Sequence, residues 1–118
     1  MRMARADFLR DAAELIEAGE RVAGAPDWEP FRAWLLASDR FLERAWGRMD
    51  RYHLAWLNVG RDTAPPGSPL DKAGERRFIV AVADAKLAVL RTMLRSVERE
   101  ASAGRVRSAQ SHDQTEEP

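Results

Sequence analysis

Apolar residues recur along most of this chain in steps of three and four, the period of one face of an α-helix. From about Ala4 to Ala23 that face is Phe8, Ala12, Leu15, Ile16, Gly19 and Val22. A second face runs from Trp28 to about Asn58. It reads Trp28, Phe31, Leu35, Ser38, Leu42, Ala45, Met49, Tyr52 and Trp56, and it is widened by Trp34, Phe41, Trp46 and Leu57. The third is Val80, Ala83, Leu87, Leu90, Leu94, Val97 and Ala101, broadened by Phe78, Ile79, Val82, Val89 and Met93. No stretch alternates strictly between apolar and polar, so no strand is predicted.

Two punctuations separate these faces. Ala23-Gly24-Ala25-Pro26-Asp27 and the segment from Asn58 to Pro69 both hold the Gly and Pro residues that stop helices. Asp27 is placed to cap the second helix, and Pro30 is tolerated in a first turn whose amides have no internal partner. Ser68-Pro69-Leu70-Asp71 gives the third helix a serine cap, a proline at the first helical position and a carboxylate at the third. The predicted helices therefore cover about 4–23, 28–58 and 69–103. The fold class is all-α, an antiparallel up-down-up three-helix bundle in one domain over 1–103. Residues 104–118 offer almost nothing to bury and read as a disordered tail.

The predicted lengths are unequal. At 1.5 Å per residue the first helix is roughly 30 Å long and the other two roughly 45–50 Å. The far part of the second helix is then left with only the third beside it. That end holds Met49, Tyr52, His53, Trp56 and Leu57, faced by Leu70 and Phe78. Monomers rarely expose so large an apolar patch, so the pattern predicts a homodimer, or a helical protein partner, that closes it.

Composition narrows the picture. The chain has 118 residues, 19 basic and 19 acidic side chains, and no Cys. The length suits one domain. Without Cys there is no disulfide scaffold and no thiolate metal site. The charge balance argues against a dedicated nucleic-acid binder. All the basic residues except Lys72 and Lys86 are Arg, and Arg40, Arg44, Arg48 and Arg51 mark the solvated side of the second helix. No apolar run reaches the ~18 residues a membrane span needs. The first residues are interrupted by Arg10, Asp11 and Glu14 and do not read as a secretory signal, so a cytoplasmic location is the default expectation.

Two side chains stand where charge is out of place. His53 lies within the apolar stripe of the second helix. Lys86 lies among Val82, Val89, Leu90 and Met93 of the third, level with Asp39 or Leu42, and either snorkels or forms a Lys86–Asp39 pair that would fix the register of the two helices. Asp50 and His53 have the i, i+3 spacing of one ligand pair, but a di-iron site needs two such pairs and two further Glu, so no metal and no cofactor is expected. Arg48-Met49-Asp50-Arg51-Tyr52-His53 has an Arg-x4-His spacing, and over these six residues it resembles the motif of HEPN-type helical ribonucleases. That resemblance implies that Arg48 stabilises phosphate charge and His53 acts as the acid/base. At 100° per residue, however, the two side chains point roughly 140° apart on a continuous helix.

The first expectation is thus an interaction or assembly protein that self-associates through its apolar end. A HEPN-like ribonuclease using Arg48 and His53 is the alternative. A third reading is a binder of a small apolar ligand between the second and third helices, beside Lys86.

Overall fold

Four helices follow one another along the chain: α1 Arg5–Gly24, α2 Trp28–Trp46, α3 Arg51–Asn58 and α4 Lys72–Glu116. The computed structural model describes residues 1–60 and 71–116, with the side chains of 1–60 and 71–100, and no strand occurs among them. The all-α class holds. The three-helix division does not, because the expected second helix is two helices.

The break has a local cause. Gly47 takes φ +96°, which glycine adopts without steric cost, and its amide still donates to Glu43 O at 2.9 Å. Met49 follows at φ +66°. Asp50 then caps α3, its carboxylate accepting from the Tyr52 amide at 3.2 Å. The N-terminal arm seals the corner. Arg2 N donates to Ala45 O at 2.7 Å, and a Cβ on Gly47 would lie 2.8 Å from the Arg2 guanidinium carbon. A cation beside the last carbonyls of α2 opposes the negative end of its dipole.

The other termini follow the sequence only in part. Asp27 occupies the N-cap of α2, but its carboxylate makes no capping hydrogen bond. At α4 the cap is Asp71, which accepts from Gly74 N at 2.7 Å, whereas Ser68 lies outside the described residues. The α4 backbone continues to Glu116, past the expected end near Ala103. Loss of apolar residues removes burial, but no proline follows until Pro118. This helix gives the molecule its extents of 73 × 25 × 19 Å.

Specific contacts fix the directions. Phe8 meets Phe41 at 5.4 Å between ring centroids, and Trp34 Nε1 donates to Leu15 O at 2.8 Å, so α1 and α2 are antiparallel. Phe31 meets Phe78 at 6.5 Å, and Trp46 Nε1 lies 3.2 Å from Met93 Sδ, so α2 and α4 run the same way. Tyr52 reaches Ser96 while Trp56 reaches Lys86, so α3 opposes α4. The chain runs up, down, up, down, and α1 and α3 each pack against both α2 and α4.

Phe8, Phe31, Phe41, Leu42, Ile79, Leu87, Leu90 and Met93 are fully enclosed at the centre. Each large side chain buried there contributes about 1.5–3 kcal/mol. Gly19 allows close approach of α1, since a Cβ there would fall 2.5 Å from the Trp34 ring and 2.6 Å from Leu87. The tryptophans sort differently from the seam pattern. Trp34, a flank position in the pattern, is only 4% exposed, while Trp28, on the seam, is 40% exposed at the rim.

Candidate functional site

The charged and polar groups inside the bundle converge on α3. His53 is enclosed, with both ring nitrogens engaged. Nδ1 lies 3.3 Å from the Met49 amide, and Nε2 lies 2.7 Å from Asp39 Oδ1 on α2. An amide can only donate, so Nδ1 accepts and Nε2 carries the proton it gives to the carboxylate. One neutral tautomer satisfies both contacts. The ring thereby ties the first turn of α3 back to the middle of α2 and closes the turn at Met49.

Lys86 makes the second tie. Its Nζ is buried, donates to Trp56 O at 2.6 Å, and lies 4.0 Å from the centroid of the Trp56 ring. Trp56 O belongs to the last turn of α3, whose carbonyls lack helical partners, so the ammonium satisfies one of them and meets the negative end of the helix. The expected Lys86–Asp39 pair is replaced by two contacts: Asp39 holds His53, and Lys86 holds Trp56. Ser38 Oγ and Trp56 Nε1 are buried without a hydrogen-bond partner.

The residues expected at an open apolar end are distributed otherwise. His53 and Trp56 are buried within the chain, and Tyr52 and Leu57 pack against the core. Tyr52 packs its ring against Trp46 in a tilted pair, 4.9 Å between centroids, and donates to Ser96 Oγ at 3.3 Å. Phe78 packs against the same core, and Leu70 lies outside the described residues. Among the described residues of the set, Met49 alone is largely exposed, at 66%. By turning back at Gly47, the chain covers with α3 the end that a continuous helix would leave bare.

Arg48 and His53 share no point of action. The Arg48 side chain is solvent-facing and pairs with Glu43 at 3.5 Å, whereas His53 is enclosed against Asp39. A ligand beside Lys86 would compete with Trp56 for the same contact. Among the described residues, no group of three metal-ligating side chains comes together.

A surface feature that the periodicity does not reveal lies on the other side of the bundle. A groove of about 460 Å³ runs between the outer faces of α1 and α2, floored by Leu15, Val22 and Trp34 and walled by alanines. It continues into a charged stretch bearing Asp11 and Glu14 on α1 and Arg40 and Arg44 on α2. On α2, Leu36 is half exposed. The signal in the sequence was Ala18, Ala25, Ala33 and Ala37, small residues outside the main stripes.

No protein-family model, curated protein or solved structure matches the chain. No helix among the described residues is long and apolar enough to cross a membrane.

Proposed function

We propose that this chain is a small helical-bundle assembly protein that works by self-association. The observation that carries this reading is the uncovered apolar groove between α1 and α2. Apolar surface left in water favours association in proportion to the area that contact removes. The interior chemistry supports the same reading, since His53 and Lys86 both act as ties that hold α3 against α2 and α4. The contact surface differs from the apolar end that the hydrophobic pattern suggests, because α3 occupies that end.

Light scattering on the full chain at high micromolar concentration tests the reading. The expected mass is at least twice 13.3 kDa, and a 13.3 kDa species at every concentration would contradict it. RNA cleavage abolished by His53→Ala but retained in Trp56→Ala would also count against it, in favour of the Arg48–His53 pair.

A further inference from the structure

The inference here rests on the self-association proposed above and specifies how two copies meet. We infer that the α1–α2 groove is occupied by the same groove of a second copy, related by a two-fold axis running along the bundle.

The distribution of charge carries it. Along its length the groove has two zones. Toward the α1–α2 loop it is apolar, lined by Ala18, Val22, Pro30 and Ala33, and Arg21 is the only charged side chain lining that zone. Toward the other end it is charged, and the charge is split by helix: Asp11 and Glu14 stand on α1, Arg40 and Arg44 on α2. Asp11 is already engaged by Arg10 at 3.1 Å. That hydrogen bond, with the nearby charges of Asp11 and Asp7, raises the Arg10 guanidinium above its ordinary pKa. Glu14, Arg40 and Arg44 are in no ion pair among the described residues. Acid on one wall and base on the other, with Glu14, Arg40 and Arg44 outside any direct ion pair among the described residues, is a self-complementary pattern.

Symmetry then selects one geometry. A two-fold contact pairs residue i of one copy with j of the other, and j with i. An axis across the helices would set α1 on α1 and lay the apolar zone of one copy against the charged zone of the other. An axis along the groove sets α1 beside α2 of the second copy at the same height. Glu14 then faces Arg40 and Arg44 of the second copy, twice over, and the apolar zones meet each other. The alanine walls let the helices approach closely. Antiparallel α1 and α2 on each side complete a second four-helix layer, with the packing the bundle already uses internally.

Charge reversal tests this arrangement without touching the core. Glu14→Arg puts like charges opposite one another at both symmetric contacts, and Arg40→Glu with Arg44→Glu does the same with the opposite sign. Each variant alone is expected to raise the dimer dissociation constant by about tenfold or more, with the helical circular dichroism unchanged. An equimolar mixture of the two variants is expected to dimerise again, because each α1 then faces an α2 of opposite charge. A wild-type dimer indifferent to both reversals would overturn this geometry while leaving self-association intact. A wild-type monomer would overturn both.

Discussion

Met49 holds a left-handed backbone, φ +66°, with a side chain that is 66% exposed. For a non-glycine residue this conformation costs about 1 kcal/mol, and no packing of the side chain offsets it. Met49→Gly should therefore leave the urea-unfolding free energy unchanged or raise it, the relief of strain being reduced by the greater freedom of glycine in the unfolded chain. On a helix continuous through position 49 the same change would cost about 1 kcal/mol, so the sign of the effect decides between the two backbones. At this scale the sequence was readable in retrospect. Gly47 and Asp50 are a helix stop and a helix start three residues apart. They are masked because Ala45, Met49, Tyr52 and Trp56 continue the three-and-four step across the gap. The periodicity reports which side chains seek burial, not the path that buries them, and it is the turned-back α3 that encloses Trp56.

An eight-residue helix is too short to persist in water without help from packing, so α3 depends on the contacts that hold it. Two of those are polar: His53 to Asp39 at its start and Lys86 to Trp56 O at its end. Removing the carboxylate leaves a buried imidazole N–H without its acceptor. Asp39→Ala should cost about 1 kcal/mol, the lower end of the range for such a loss, because the Asp39 side chain is itself 36% exposed. Native-state hydrogen exchange should show the amides of Arg51–Asn58 losing protection first, with α1 little changed. Exchange in α3 as slow as in the parent would mean that the tie is not what holds it. His53 and Lys86 were legible in the sequence as polar residues on apolar faces, and Asp39 only as a candidate partner level with Lys86. Their partners were not, since the turn at Gly47 brings α3 in, with His53 on Asp39 and Trp56 O on Lys86.

For the whole molecule, the all-α class followed from the apolar stripes; the expected antiparallel pairing of 28–58 with 69–103 did not follow, since α2 and α4 run the same way. The number of helices and the surface left uncovered did not, because both depend on where one turn falls. A straight second helix leaves the end around Trp56 bare; the bent chain closes that end and leaves an open apolar groove between α1 and α2, with Glu14, Arg40 and Arg44 beside it in no ion pair among the described residues. The chain has no native cysteine, so thiols placed one at a time report contacts between copies without interference. The most direct test mixes Ala18→Cys with Ala33→Cys under mild oxidation and scores covalent dimer against Asp84→Cys on α4 as the control. The account predicts a disulfide-linked species from the α1–α2 mixture and none from the control. Dimer trapped only through Asp84→Cys, or no trapped dimer from the α1–α2 mixture, would contradict it.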